Sequence, residues 1–70
     1  MKNKEWIPIT QLLPKNGINV LMCEDENMYV VSMFYDKEKE KRYWEDDYGY
    51  IQEINNDQAW MQLPSPYKPI

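Results

Sequence analysis

Hydrophobic and polar residues alternate with a period of two along several stretches of this chain, and those stretches set its expected architecture. INVLMCE (18–24) puts Ile18, Val20 and Met22 on one face and Leu21 with Cys23 on the other, with Gly17 before it as a turn residue. EDEN (24–27) is wholly polar and reads as a hairpin connection. MYVVSMFY (28–35) follows as the strongest strand, with Met28, Val30, Ser32 and Phe34 facing one way and Tyr29, Val31, Met33 and Tyr35 the other. Both of its faces are largely apolar, which predicts a central strand covered on both sides. DKEKEK (36–41) has no apolar residue and reads as a solvated hairpin loop, after which RYWED (42–46) returns as a third strand. QAWMQL (58–63) makes a last strand, stopped by Pro64, whose missing amide cannot extend a ladder.

Two regions carry weaker patterns. DYGYIQEINND (47–57) is interrupted by Gly49 and fits a loop or one helical turn. In WIPITQLLPKNG (6–17), Thr10 can cap a short helical turn over Gln11, Leu12 and Leu13 that Pro14 and Gly17 end. The echo between WIPI and WMQL places both Trp-containing segments on one sheet. The expected fold is a single small domain over 1–70, mainly β (small α+β). It is a curved three- to four-stranded antiparallel meander with a short N-terminal helical turn and a Pro-rich C-terminal tail.

Composition narrows what such a domain can do. A 70-residue chain builds a thin core, which small scaffolds support with disulfides, a metal or an oligomeric interface. Cys23 has no partner within the chain and there is no histidine, so neither a disulfide nor a usual zinc site is expected, and no cofactor is. Oligomerisation is the remaining support, and a homo-oligomer is expected. A lone reduced cysteine, no apolar run near the roughly 18 residues of a membrane span, and a MKNKEW start unlike a signal peptide point to the cytoplasm and away from membranes. The net charge of −4 argues against direct nucleic-acid binding and for a basic partner. Ten aromatic rings are more than a thin core hides, so some should line a surface, pocket or interface.

The two ends carry a resemblance. EWIPITQLLPKNGINVLM resembles the opening of the bacterial and phage family catalogued as domain of unknown function 551: Trp-Ile, a spacer, Leu-Pro, then Gly and a Val-Leu strand. The matching positions are Trp6, Ile7, Leu13, Pro14, Gly17, Val20 and Leu21. The family's closing Trp-Met-x-Leu-Pro segment is matched by Trp60, Met61, Leu63 and Pro64, with Pro66 beyond, and its aromatic middle by Phe34, Tyr35 and Trp44. Members often carry a Thr-His pair before the closing Trp, where this chain has Gln58 and Ala59, so a role resting on that histidine does not carry over. The resemblance implies a small cytosolic protein, frequently encoded by phages and prophages, with no established activity. By association it implies a protein that manipulates a host factor.

Catalysis is not expected. Without histidine, Cys23 lacks the usual base and reads as a small core residue. The acidic runs Glu24 to Glu26 and Glu45 to Asp47 lack the spaced pattern and central glycine of a calcium loop, and read as solvated charge. Two constellations remain. In KRYW, Lys41 and Arg42 bring positive charge, and Arg42 and Trp44 project to one face while Tyr43 points to the other. A guanidinium beside an aromatic plane can hold a nucleotide, with phosphate on arginine and base on ring; it can equally be a cross-strand packing contact, with Glu45 or Asp36 as counter-charge. Around Gly49, Tyr48 and Tyr50 with Asp46 and Asp47 form an acidic aromatic loop suited to a basic protein surface.

Two functions follow. The first is a non-enzymatic phage-type binding protein that counteracts a host defence process by sequestering a small anionic ligand or nucleotide in a homo-oligomer, through Lys41, Arg42, Tyr43 and Trp44. The alternative is an inhibitor that binds a host protein directly through Asp46, Asp47, Tyr48 and Tyr50. In the tail, Trp60 and Leu63 read as core anchors and Pro64, Pro66 and Pro69 as the end of the sheet, while PYKP also fits a docking segment for an aromatic groove.

Overall fold

A computed structural model of the chain describes residues 5–64. They form six antiparallel strands in one open sheet: β1 (Ile7–Pro8), β2 (Asn19–Glu24), β3 (Asn27–Asp36), β4 (Lys41–Asp46), β5 (Ile51–Glu53) and β6 (Ala59–Gln62). The order across the sheet is β1-β6-β2-β3-β4-β5. β2, β3 and β4 are strands of the expected meander, but six strands stand where three or four were expected: β5 continues the meander past β4, and the expected last strand, β6, does not follow β4 in the sheet. β6 returns to the free edge of β2, and β1 pairs outside it, Ile7 opposite Trp60. The two Trp-containing segments therefore do share one sheet.

One expectation is corrected at the N-terminus: there is no helix among the described residues. Residues 9–11 make a hydrogen-bonded turn in which the amides of Gln11 and Leu12 both donate to the Pro8 carbonyl, at 2.9 and 3.2 Å. A helix pays for its nucleus only by propagating, and Pro14 leaves no room for a second turn. The segment 47–57, open between loop and helical turn, instead contains β5, too short for an alternation to show.

The pleat sorts side chains onto two faces, and the two fare differently. On the core face, Val20 and Met22 of β2, Val31 and Met33 of β3, Trp44 of β4 and Trp60 of β6 cluster with Ile9, and Ile7 and Ile54 pack at the margin. Full burial of side chains such as Met22, Met33 and Trp44 stabilises by roughly 1.5–3 kcal/mol each. The N-terminal segment is tied over this face by the Trp60 indole N–H, which donates to the Leu12 carbonyl at 2.8 Å. Ile18 lies before β2 and is exposed instead of joining Val20 and Met22.

The other face stays open. β3 is central, between β2 and β4, but coverage on both sides was the wrong expectation: Met28 and Val30 are 60% and 38% exposed. Among the described residues the strands contact only their sheet neighbours, and there is no second layer of strands. Cys23 points to this open face and is half-buried there, so it is not part of the buried cluster. Trp60 is a core anchor as expected, whereas Leu63 is only half-buried. Pro64 is exposed just beyond β6; Pro66, Pro69 and the PYKP docking segment lie outside the described residues.

Candidate functional site

The residues of KRYW are distributed by the pleat of β4 and by its pairing with β3. The Tyr35–Arg42 and Phe34–Tyr43 pairs are cross-strand neighbours. The Arg42 guanidinium lies over the Tyr35 ring, 5.3 Å from its centroid, so the arginine's aromatic partner is Tyr35 across the strands and not Trp44 along its own. Trp44 is fully buried, and its indole N–H donates to Gln58 Oε1 at 2.7 Å. No face of that ring is free to stack on a base. Tyr43 is buried on the opposite side of the sheet, stacked on Phe34 with ring centroids 5.6 Å apart. Asp36 caps its own turn, accepting from the amides of Glu38 and Lys39 at 2.9 and 3.3 Å.

Arg42 and Trp44 consequently line different cavities. Lys41 and Arg42 share a cleft of about 380 Å³ with Leu13, Tyr35, Glu40, Glu53 and Ile54. The residues around this cleft carry charges of both signs. Trp44 instead lines a cavity of about 300 Å³ together with Asp46 and Tyr50, which sequence reasoning had assigned to a separate site, and with Tyr29 and Gln52. A broader apolar groove of about 540 Å³ runs between the N-terminal segment and β6, with Leu12, Ile18, Trp60 and Leu63 among its walls.

The acidic aromatic loop is an organised turn. One carboxylate oxygen of Asp46 accepts from the amides of both Tyr48 and Tyr50 at 2.9 Å. The Asp46 amide donates to the Tyr50 carbonyl at 3.0 Å, the Gly49 amide to the Asp46 carbonyl at 3.1 Å, and Gly49 has φ +87°, a conformation glycine adopts without cost. Held this way, Tyr48 is 87% exposed and Tyr50 75%, with Asp47 exposed between β4 and β5 beside them. Asp46 is therefore the residue that shapes the turn, while Tyr48, Asp47 and the outer part of Tyr50 are available to a partner.

Two polar residues with clear roles escaped sequence reasoning. Gln58 is 1% exposed and satisfies three groups: its Oε1 accepts from Trp44 and from the Asn55 amide at 3.0 Å, and its Nε2 donates to the Glu53 carbonyl at 3.4 Å. Glu24, read as one of three solvated acids, accepts from Asn55 Nδ2 at 2.7 Å and from Gln52 Nε2 at 2.6 Å. Hydrogen bonding from Asn55 is the main cause that holds its carboxyl below the ordinary value, outweighing the opposing effect of burial, with Gln52 adding to it. Both roles depend on residues about thirty positions apart in the case of Glu24, and no local pattern reports them.

Among the described residues, no three Cys, Asp or Glu side chains converge as a metal site requires, and no helix is long and apolar enough to cross a membrane. No curated protein and no solved structure shows a significant match to the chain. The family model described as Protein of unknown function (DUF551) matches residues 5–68, which contain all six strands, both Trp-containing segments and the β4–β5 turn. The chain belongs to that family.

Proposed function

We propose that this protein is a non-enzymatic binding protein that acts in the cytoplasm, and that its β4–β5 turn docks on a basic surface of a partner protein. The observation that carries this reading is the pairing of exposure with order: Tyr48 and Tyr50 project from a turn cross-braced by a single Asp46 carboxylate. A turn whose backbone is already ordered loses little backbone entropy on binding, and Tyr is enriched where interfaces concentrate their energy. Asp47 and the chain's net charge of −4 favour a basic counterpart. For a family with frequent phage membership, a host protein engaged to blunt a defence process is the partner that fits.

The test is capture from a bacterial lysate by the immobilised protein, with Tyr48→Ala/Tyr50→Ala and Asp47→Lys as the comparison. A partner held by the wild type should be weakened at least roughly tenfold by either variant, each hot-spot tyrosine contributing about 1.4 kcal/mol or more, and its binding should fall with added salt. Equal retention by the variants overturns the reading.

A second reading has one observation in its favour. The Arg42 guanidinium over Tyr35, at the mouth of the cleft that Lys41 shares, offers a place for a small anionic ligand such as a nucleotide, sequestered in a homo-oligomer. Tyr35 takes the stacking role for which Trp44 is not available. Native mass spectrometry after incubation with a nucleotide mixture should then reveal retained ligand that Arg42→Ala loses; an unchanged mass for the wild type removes this reading.

A further inference from the structure

One corner of the core face is not filled by the buried cluster and stays open as the cavity of about 300 Å³ beside the β4–β5 turn. Register builds it. Val31 of β3 stands opposite Asp46 of β4, and Trp44 opposite Gln52 of β5, while Tyr29 and Tyr50 each lie two residues before a member of those pairs and so share their face. Val31 and Trp44 are buried and close the floor, whereas Tyr29 and Tyr50, 42% and 75% exposed, are the aromatic walls that a ligand can reach. The lining carries one formal charge, the Asp46 carboxylate, and no lysine or arginine.

The hydrogen bonds around the cavity leave it rich in acceptors. Both amide bonds to Asp46 end on Oδ1, so among the described residues Oδ2 is the oxygen open to a ligand. Gln52 Nε2 donates to Glu24 at 2.6 Å, which orients the amide and leaves Oε1 as its acceptor end. Glu24 reaches Gln52 across the two intervening strands, so a second carboxylate stands just behind the lining. The Trp44 N–H is taken by Gln58 and offers nothing to the cavity. An anion would meet a carboxylate here and no positive group, and a purely apolar ligand would bury that carboxylate without a partner. A cation gains on both counts, because tyrosine ring faces attract positive charge and N–H donors satisfy the two oxygens.

We propose that this cavity receives a basic side chain, an arginine or a lysine, of the partner protein. Its charged head lies between Tyr29 and Tyr50, with its N–H groups on Asp46 Oδ2 and Gln52 Oε1. The occupant is a side chain and not a free small cation because the cavity shares Asp46 and Tyr50 with the β4–β5 turn, so a basic surface that covers Tyr48 and Asp47 also covers the cavity mouth. To that extent the inference rests on the docking proposed for the turn. It adds a recessed anchor point to that docking, and interfaces concentrate their energy where such an anchor fills a pocket.

A titration of the isotope-labelled full chain with capped Gly-Arg-Gly, Gly-Lys-Gly and Gly-Gln-Gly peptides, followed by amide NMR at low salt, needs no partner and tests the cavity apart from the turn. The arginine and lysine peptides should shift the Trp44 indole and Gln52 side-chain signals saturably, and the tighter of the two names the preferred residue. The glutamine peptide should not, and choline, a cation without an N–H donor, should bind more weakly than either basic peptide. Asp46→Asn keeps a side-chain oxygen for the turn amides while removing the charge, and should weaken binding by roughly tenfold. Tyr29→Leu touches none of the turn's bonds, so it serves if Asp46→Asn does not fold, and should weaken binding roughly two- to fivefold. Four results overturn the inference: no saturable shift with either basic peptide, equal shifts with the glutamine peptide, choline as the tightest ligand, or folded variants that bind like the wild type. A successful titration with failed capture from lysate removes the docking of the turn and keeps the cavity's preference for a basic side chain; the reverse removes the cavity alone.

Discussion

Gln58 holds together two parts of the sheet that are not hydrogen-bonded neighbours: the indole of Trp44 on β4 and the loop that leads into β6. Replacing it with leucine keeps the volume and removes the one acceptor that serves both bonds, and the donor. The Trp44 N–H would then be buried without a partner, which costs about 1–3 kcal/mol, and the Asn55 amide would lose its acceptor as well. Gln58→Leu should therefore lower the urea midpoint with little change in slope, and an unchanged midpoint would show that water or a rearranged loop satisfies the indole. Glu24 gives a prediction of a different kind. Its folded-state carboxyl titrates below the ordinary value of 4.5, so its stabilising contribution is complete above that value and is lost as pH falls through the folded one. Wild-type stability should accordingly decline on acidification more steeply than that of Glu24→Gln, and parallel declines in urea midpoint below the ordinary carboxylate range would refute the assignment.

At the scale of elements, the hairpin between β2 and β3 is the least comfortable piece of backbone. It turns through Asp25 and Glu26, both in the left-handed region at φ 51° and 69°. Two-residue hairpin turns of this hand favour Asn-Gly, because a side chain there meets the following carbonyl at a cost of roughly 1–2 kcal/mol per residue. Asp25→Asn/Glu26→Gly should raise the melting temperature without altering the register, which Glu24 opposite Asn27 already sets; a lowered melting temperature would mean that the two acids contribute something the backbone does not show. The polar tetrapeptide announced this turn in the sequence, and the alternation of β2, β3, β4 and β6 was equally legible. β1 and β5 were not, since two or three residues carry no period. Which face of β3 is covered was also hidden, because both of its faces are apolar and coverage depends on where the N-terminal segment and the 54–58 loop fold back. The partner of Arg42 was missed for a related reason: the Tyr35–Arg42 pair follows from register, and sequence alone does not give the offset between β3 and β4.

At the scale of the whole molecule, stability must be uneven. The central strands β2, β3 and β4 each have two paired neighbours or a long ladder and supply most of the buried cluster. The first part of the N-terminal segment, residues 5–12, by contrast, is attached through two pairs on β1, the Ile9 amide donating to the Gln58 carbonyl at 3.2 Å, and the Trp60 indole on Leu12, while Asn16 and Gly17 are tied separately to Met33 of β3. Such a strap can open without unfolding the rest, since its release exposes Ile7 and Ile9 but leaves the β2-β3-β4 ladders intact. Native-state hydrogen exchange should show Ile9 and the Trp60 indole exchanging well before the amides of Val31 and Met33. Exchange that is uniform across the sheet would instead make the fold a single cooperative unit, and the strap would have no independent opening.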